Sequence, residues 1–465
     1  MDAMVKDLKI AYIGGGSRGW ARKLMVDLAL CPDLQGTVSL FDIDQNAAII
    51  NQQFSTWLQS QPAIFSHWNY QVVSNLTTAL NQADFVVISI QPGPLEIMAE
   101  EIALAEKYGL YYPVGDTTGA PGLIRGLRTA LIYKEFAYAI QKYCPKAWVI
   151  NYTNPMSIST RTLTRLIPEL KVFGCCHEVF STQKMFVKLV QQYLNVSSLP
   201  QRTDIHLNVF GINHFTWVDK ASFQGTDLLQ LLNHHLSQPE TLHFYTQQEV
   251  ESWNDWFYCA DRVKFELYQH YGTLAAAGDR HLVEFLPGFI QSPQKLFQWG
   301  IIRTPVSWRI DRWNNAPKET TAIMEGKTPF SLTSSGEEGV SLIKALLGLG
   351  NLITNVNLPN QGQITNLPAD VVVETNAIFQ SNEIIPLQAG KIPLNLEALI
   401  LQHVNNQEMI IESAITHNIR PAFQAFCNDP SIPLPLDTCL ELFNQLTQIN
   451  HDFLPKEFIS STSRI

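Results

Sequence analysis

A glycine-rich segment near the amino terminus has the spacing of a dinucleotide-binding loop. Gly14, Gly16 and Gly19 fit the pattern G-x-G-x-x-G, and they lie between the apolar stretch LKIAYI and the helically spaced stretch ARKLMVDLAL. The first glycine of such a loop permits a tight turn, and the second lets the backbone approach a pyrophosphate that rests on the helix N-terminus. A purely structural turn is the alternative, but the place of the glycines between a strand and a helix favours the cofactor.

Asp42 stands where such a cofactor needs a carboxylate. It follows the apolar stretch TVSLF at the end of the next predicted strand, 23 residues after Gly19. A carboxylate at this position accepts hydrogen bonds from the adenosine ribose hydroxyls, and it would repel a 2′-phosphate. The pattern therefore predicts NAD rather than NADP.

Three further residues whose side chains could take part in chemistry lie at the ends of predicted strands. Asn154 follows WVINYT, Cys176 is the last residue of KVFGCC, and His214 is the fourth residue of GINHF. In a doubly wound fold the carboxyl ends of strands face the ligand crevice. A thiolate and an imidazole there could hold an open divalent metal site whose other positions belong to substrate and water. From the residues alone, a core cysteine and a strand-ending Asn-Pro turn are the alternatives.

Two polar segments are ambiguous from the residues alone. GDRHLVEF contains Asp279 and Arg280 and comes after a helical stretch with Tyr268 and Tyr271, so it could belong to a site or form a solvated turn. GDTTGAPG begins at Gly115, and it could cover a cofactor or be an exposed connection.

The elements that must position these residues alternate between strands and helices. Strands are predicted over 8–13, 37–44, 85–90, 147–155 and 171–176, with a helix over 45–60. Such alternation is typical of βαβ units and a parallel sheet. After about residue 200 the pattern changes to antiparallel alternation over 206–218, followed by helices over 337–350 and 435–450.

We therefore expect an α/β protein with two domains. Residues 1–200 should form an NAD-binding Rossmann-type domain, a doubly wound parallel sheet that resembles those of lactate and malate dehydrogenases. Residues 201–465 should form an α+β domain for substrate, metal and oligomerisation.

Composition and charge exclude several classes of protein. The 465 residues are 46% hydrophobic and 16% charged, which is typical of a globular chain with a large core. The net charge of −10 and the lack of any Lys/Arg block argue against nucleic acid and anionic membranes as partners. Seven scattered cysteines and the absence of a signal-peptide pattern indicate a cytoplasmic protein.

Seven segments, taken together and in this order, resemble the NAD- and metal-dependent glycoside hydrolases of family 4. They are IGGGS (13–17), FDID (41–44), GDTTGAPGLIRGLRT (115–129), NYTNPM (151–156), GCCHEVF (174–180), GINHF (211–215) and GDRHLVEF (278–285). The family is an exception to the rule that glycosidases use two carboxylates. Within it, CHEV at 176–179 resembles the α-galacturonidase group, and the related α-glucuronidases share this segment.

The resemblance implies a glycosidase that hydrolyses α-uronides, with α-galacturonides as the first choice. NAD⁺ takes a hydride from C3 of the sugar, a base removes the acidified C2 proton, and the aglycone leaves from C1. Water then adds and the hydride returns. A divalent metal, for which the resemblance implies Mn²⁺, stabilises the enolate. The expected partner is a small-molecule uronic acid glycoside, and the expected assembly is a homodimer or homotetramer.

The resemblance also implies roles for individual residues, in four sets. The cofactor-binding residues are Gly14, Gly16, Ser17, Gly19, Asp42 and Asn154. The metal ligands are Cys176 and His214, and the substrate contacts are Asn154, His177, Glu178 and Arg280. The catalytic residues are Tyr271 as the C2 base, with Tyr268 and Asp279 as competitors for that role, and His177 as an acid.

Other functions fit parts of the pattern. An α-glucuronidase, an α-galactosidase or an α-glucosidase of the same family would share most of the motifs. A hydroxy-acid dehydrogenase would explain the glycine loop, Asp42 and Asn154, but it would leave Cys176 and His214 without a role. An NAD sensor without turnover would not explain the polar groups at the ends of the strands.

Overall fold

The strands of this chain form two sheets. The computed structural model describes residues 4–461. The strands are β1 (Val5–Ile13), β2 (Leu34–Phe41), β3 (Trp68–Val73), β4 (Phe85–Ile88), β5 (Trp148–Asn151), β6 (Lys171–Gly174), β7 (His206–Ile212), β8 (Phe215–Phe223), β9 (Thr226–Asp227), β10 (Leu274–Ala275), β11 (Leu352–Pro359), β12 (Val372–Gln380) and β13 (Glu383–Pro386).

Helices cover both sheets. They are α1 (Trp20–Ala29), α2 (Gln45–Gln59), α3 (Leu76–Leu80), α4 (Leu95–Lys107), α5 (Gly119–Tyr143), α6 (Met156–Leu166), α7 (Glu178–Tyr193), α8 (Leu228–Leu236), α9 (Gln247–Ser252), α10 (Arg262–Tyr271), α11 (Asp279–Phe285), α12 (Pro293–Gln298), α13 (Val306–Met324), α14 (Gly339–Leu346), α15 (Leu394–Thr416), α16 (Arg420–Asn428), α17 (Leu436–Ile449) and α18 (Lys456–Ser461). None of these described helices is both long and apolar enough to cross a membrane.

The large sheet has the strand order of a dinucleotide-binding fold. Its parallel part runs β3-β2-β1-β4-β5-β6, which is the doubly wound order 3-2-1-4-5-6. Strand β4, FVVI, is buried at all four positions, because helices cover both faces of such a sheet. The expected α/β class with a Rossmann-type parallel sheet is therefore confirmed.

Three antiparallel strands from the second half of the chain extend this sheet beyond β6. The order continues β6-β11-β12-β13, with Asn357 of β11 opposite Gly174 of β6. The same sheet therefore takes strands from both sides of residue 200. The division into 1–200 and 201–465 stays a prediction.

The smaller sheet is built on a hairpin. Strands β7 and β8 pair antiparallel, as the alternation over 206–218 predicts, and β9 and β10 add to β8. Asn213 and His214 connect β7 to β8, and His214 has a left-handed backbone with φ of 64°. Non-glycine residues adopt this conformation at some cost, which is often a sign of a functional position.

Two helices bring the halves of the chain together. Helix α5 is buried along most of its length and packs against α6 and α15. Helix α13 packs against α2 and α4, and only Ala316 and Thr320 of this helix are buried. Helix α13 is therefore a surface helix that lies beside the parallel sheet.

Candidate active site

The predicted metal and substrate residues meet at a cavity of about 690 Å³, which Asp279 also lines. This cavity lies at the carboxyl ends of β5 and β6, where a doubly wound sheet binds its ligands. Its walls include Asn154, Cys176, His177, Glu178, His214, Asp279, Arg280 and His281. Segments that are far apart in sequence thus contribute to a single crevice.

The glycine loop is held tightly at its first half. Gly14 has φ of +91°, and a Cβ there would lie 2.0 Å from the Ser89 carbonyl oxygen. The Gly16 amide donates to Asp42 Oδ2 at 2.8 Å, and Asp42 Oδ1 accepts from the Asp44 amide at 2.9 Å. Asp42 therefore fixes the loop, and each of its oxygens keeps acceptor capacity for a ribose hydroxyl.

The second half of the loop is open. In the part of the chain that the structure describes, the amides of Trp20, Ala21 and Arg22, in the first turn of α1, have no hydrogen-bond acceptor. A Cβ at Gly19 would meet no atom within 4 Å. Free amides at a helix N-terminus attract phosphate oxygens. Farther along the crevice, the buried Asn154 Oδ1 has no partner. The loop, its ribose carboxylate and this free amide oxygen fit a dinucleotide.

A three-residue cluster in the cavity could hold a metal ion. The ligand atoms of Asp116, His214 and His281 lie within 4.8 Å of one another. The Thr117 hydroxyl is 2.8 Å from His214 Nδ1, which leaves Nε2 for the metal, and His281 Nδ1 is buried without a partner. Two imidazoles and a carboxylate form a donor set that suits Mn²⁺ and related divalent ions.

The electrostatics of this cluster favour a cation. Burial, reinforced by the neighbouring His281, lowers the pKa of His214 to about 3, and burial also lowers the pKa of His281. Both imidazoles are therefore neutral near pH 7, as metal ligands must be. Burial opposes ionisation of Asp116, but neighbouring positive charge, including that of Arg125, holds the pKa of its carboxyl well below its usual range.

Cys176 lies beside this cluster rather than within it. Its side chain lines the cavity, and its carbonyl oxygen accepts from Asn355 Nδ2 at 3.3 Å. Burial and the nearby Glu374 raise the pKa of the Cys176 thiol well above its usual value. Glu374 in turn accepts from Asn213 Nδ2 at 3.1 Å and from Asn355 Nδ2 at 2.7 Å. Residues of β11 and β12 thus contact Cys176 directly and His214 through its neighbour Asn213.

His177 and Glu178 face the cavity at the start of α7. The His177 ring stacks on Trp20 at 5.5 Å, and its Nδ1 lies 3.3 Å from Glu337, which raises the His177 pKa. Glu178 Oε2 accepts from the Gly278 amide at 3.0 Å. Burial opposes ionisation of Glu178, but surrounding groups, among them the Gly278 amide and His177, lower the pKa of its carboxyl to about 2.

Comparison with known proteins identifies the family. Residues 9–192 match the family 4 glycosyl hydrolases, and residues 209–432 match the C-terminal domain of the same family. This chain belongs to the family 4 glycosyl hydrolases. The resemblance inferred from seven short segments is thereby confirmed.

Relatives of this family 4 chain cover nearly its whole length. An α-galacturonidase of Thermoanaerobacter italicus is 46% identical over 97% of this chain and 98% of the relative. An α-galacturonidase of Bacillus subtilis is 44% identical over 95% and 97%. The crystal structure of the Bacillus subtilis protein lplD has a TM-score of 0.89 at 44% identity, and the match covers 95% of this chain and all of that one.

A more distant structure supports the fold. A 6-phospho-α-glucosidase from gut microorganisms, solved with NAD and Mn²⁺, has a TM-score of 0.80 at 20% identity, over 97% of this chain and 99% of that one.

The structure does not bring Tyr271 into the active site of this family 4 chain. Neither Tyr271 nor Tyr268 belongs to the described residues that line the cavity. Tyr271 ends α10 and packs against Trp217 with ring centroids 5.9 Å apart. The first turn of α10 binds Asp279, which lines the cavity, and ten helical residues span about 15 Å, so Tyr271 at the far end lies about that distance from Asp279 along the helix. The geometry therefore does not support Tyr271 as the base.

Asp279, the competing candidate, does line the cavity. Its two carboxylate oxygens accept from the amides of Val263 and Lys264, at 3.2 and 3.0 Å, and its side chain is almost fully buried. Burial and the neighbouring Asp261 raise the pKa of Asp279, while Lys264 opposes them. Asp279 is thus a fixed carboxyl whose proton affinity is increased.

Arg280 lies in the cavity with part of its guanidinium already occupied. Its Nη2 donates to the Thr304 hydroxyl and, at 3.5 Å, to the Pro113 carbonyl oxygen. Its Nε is buried without a partner. The predicted role of Arg280 in substrate binding stays a prediction.

Sequence reasoning missed two members of the cation cluster. Asp116 and His281 had no metal role assigned, although both lie in segments that resemble the family. The available signal was that each segment combines a ligand-type side chain with small residues. What the sequence lacked was the fold that brings both segments to His214.

Proposed function

We propose that this family 4 enzyme hydrolyses α-galacturonides with the help of NAD and a divalent metal, Mn²⁺ first. One observation carries the proposal: Trp20 and Lys23 of α1, the helix that follows the open glycine loop, line the same cavity as the Asp116–His214–His281 cluster. Relatives named as α-galacturonidases, 46% and 44% identical over nearly the whole chain, support galacturonides as the substrate class.

The proposal assigns the cofactor and the metal to separate walls of the crevice. Gly14, Gly16, Ser17 and Gly19 hold the diphosphate of NAD, Asp42 holds the ribose, and Asn154 lies toward the nicotinamide and the substrate. Asp116, His214 and His281 hold the metal, with Cys176 beside them. When bound, NAD supplies reversible hydride transfer at C3 of the sugar, and the metal stabilises negative charge on the sugar oxygens.

The chain's own residues then handle protons and orientation. Asp279 takes the C2 proton, because its raised pKa makes its carboxylate a stronger base than an exposed one. The amides of Val263 and Lys264 hold that carboxylate in place. His177, whose pKa Glu337 raises, stands at the cavity wall as an acid for the leaving oxygen.

The proposal also covers the cellular compartment, the oligomeric state and the two domains. Each of the seven cysteines, all within residues 4–461, is a free thiol, which fits work in a reducing cytoplasm. We propose a homodimer or homotetramer, with residues 1–200 binding NAD and residues 201–465 supplying substrate contacts and oligomer surfaces. Under this proposal the first part, through Asp116 and Cys176, also reaches the metal and the substrate.

The test measures aglycone release from a chromogenic α-D-galacturonide with NAD⁺, Mn²⁺ and thiol present. We expect release that needs NAD⁺ in catalytic amounts and produces no net NADH. NADH that accumulates in step with product would instead identify a hydroxy-acid dehydrogenase. Faster turnover of the matching α-glucuronide, which differs only in the C4 hydroxyl, or of a neutral α-galactoside would overturn the substrate assignment.

A further inference from the structure

Among the described residues, four lysine and arginine side chains line the cavity: Lys23, Lys184, Arg280 and Arg309. Lys23 Nζ lies 2.8 Å from Glu337, which His177 also contacts at 3.3 Å. This ion pair leaves the Lys23 ammonium little freedom for binding an anionic ligand.

Arg309 is different. It lines the cavity and is half-buried, yet within residues 4–461 its guanidinium donates no hydrogen bond and lies within 4 Å of no carboxylate. A partly desolvated guanidinium without a partner is costly, so such a group is commonly kept for a ligand. Its five N–H donors form a planar fork that matches a carboxylate.

Arg309 shares the lining of the cavity with a second arginine, Arg280. Neither forms an ion pair in the described part of the chain, and Arg280 Nε is buried without a hydrogen-bond partner. Two unpaired cations in the lining of one cavity favour an anionic ligand there.

Local structure fixes Arg309 in this position. It is the fourth residue of α13, one turn before Trp313, whose carbonyl oxygen accepts from Arg18 of the glycine loop and whose ring lies 4.2 Å from the Arg18 guanidinium. Helix α13 is thereby anchored to the cofactor loop one turn after Arg309. The anchoring fixes the part of the helix backbone that carries Arg309 at the cavity.

We propose that Arg309, together with Arg280, binds the C6 carboxylate of the sugar, and that Arg309 selects an acidic sugar over the neutral sugar of the same ring. This inference rests on the proposed function, since it takes a uronide as the substrate. Lys184, which also lines the cavity, is the competing cation, but it is exposed and presents a hydrated point charge instead of a fork.

The test compares two chromogenic substrates, an α-D-galacturonide and the matching α-D-galactoside, which differ only at C6. In Arg309→Gln we expect kcat/KM for the galacturonide to fall roughly 10- to 150-fold, the loss typical of a hydrogen bond to a charged group. The value for the galactoside should stay within about twofold. Arg309→Lys should recover only part of the loss, because a lysine keeps the charge without the fork.

The control lies on the same helix. Arg312 stacks on Trp308 at 5.4 Å and does not line the cavity, so Arg312→Gln should leave both substrates unchanged. Equal losses on both substrates in Arg309→Gln would overturn the inference, since they would show a general role in folding or closure. A selective galacturonide loss in Lys184→Gln, with Arg309→Gln unaffected, would move the carboxylate site to Lys184.

Binding of the free sugar acid separates this inference from the proposed function. Calorimetric titration with galacturonate and with galactose should show preference for the acid in the wild type and loss of that preference in Arg309→Gln. If the wild type binds galacturonate selectively but cleaves no galacturonide, the proposed function fails and the Arg309 site stands. If both proteins bind galacturonate equally, the Arg309 site fails whatever the activity.

Discussion

At the scale of single residues, the proposal gives the role of base to the carboxyl of Asp279 instead of a tyrosine. The ordinary pKa of a tyrosine, about 10, requires a large downward shift before it becomes a base near pH 7. Asp279 needs a shift in the opposite direction, and burial with Asp261 provides it. The two amides that hold the carboxylate also keep its lone pairs pointed in fixed directions.

Asp279→Asn and Tyr271→Phe form a matched pair for this assignment. In D₂O the wild type should place deuterium at C2 of the product, and Asp279→Asn should lose roughly 10²- to 10⁴-fold in both turnover and exchange. Tyr271→Phe should keep both, because Tyr271 packs on Trp217 away from the cavity. Asparagine keeps one acceptor oxygen, and unchanged NAD⁺ binding would show that the fold survives. Normal exchange in Asp279→Asn would remove Asp279 from the role.

The residue scale is also where sequence reasoning was least complete. The glycine spacing and Asp42 could be interpreted locally, since a loop and the strand after it are close in sequence. Asp116 and His281 could not, because their meeting with His214 depends on how α5, the β7–β8 hairpin and α11 pack. A motif indicates which segments matter, but only the packing shows which atoms come within 4.8 Å.

At the scale of elements, the β1–α1 turn combines two kinds of glycine. A Cβ at Gly16 would lie 2.6 Å from Ala47 Cβ and 2.9 Å from Asp42 Oδ2. A Cβ at Gly19 would meet nothing within 4 Å. Gly16 is thus required by packing between the loop and α2, whereas Gly19 leaves space beside the free amides of α1.

Gly16→Ala and Gly19→Ala should therefore differ in the stability of the cofactor-free enzyme. Forcing a methyl group against Ala47 and Asp42 should cost about 1–3 kcal/mol, the usual cost of overpacking. Gly19→Ala should be close to neutral. Thermal unfolding of both variants without NAD⁺ measures this, and equal melting temperatures would contradict the packing argument.

Sequence patterns predicted the parallel strands better than the antiparallel ones that extend the sheet. The runs before Gly14, Asp42 and Asn154 are apolar because both faces of a parallel sheet are covered. Strands β11 and β12 instead bury polar residues, among them Asn355, Asn357 and Glu374. These residues support the Cys176 region, and their polarity hides the alternation that indicates a strand.

At the scale of the whole molecule, buried carboxyl groups link stability to pH. Glu284 in α11 is fully buried, and its Oε1 accepts from the amides of Val114 and Gly115 at 2.7 and 2.9 Å. These bonds join α11 to the loop that carries Asp116. Burial raises the pKa of Glu284 from 4.5 to about 8, although the two amides oppose the shift.

The direction of the pH effect follows from proton counting. Between its ordinary pKa and about 8, the folded protein keeps the Glu284 proton while the unfolded chain has lost it. The folded state then binds more protons, so the free energy of unfolding falls as the pH rises through this window, by up to about 1.4 kcal/mol per pH unit. Glu374, whose pKa burial raises to about 7, acts in the same direction.

Glu284→Gln should remove the part of this dependence that belongs to Glu284. Glutamine has an oxygen that can accept from both amides, and it cannot ionise. The variant should thus become more stable than the wild type as the pH rises from about 5 to about 8, whereas Glu100→Gln, at an exposed position of α4, should follow the wild type. Melting temperatures across this range measure the difference. A constant offset between Glu284→Gln and the wild type would mean that Glu284 is already ionised in the folded protein. The loop that carries Asp116 would then be held by a carboxylate and not by a neutral carboxyl group.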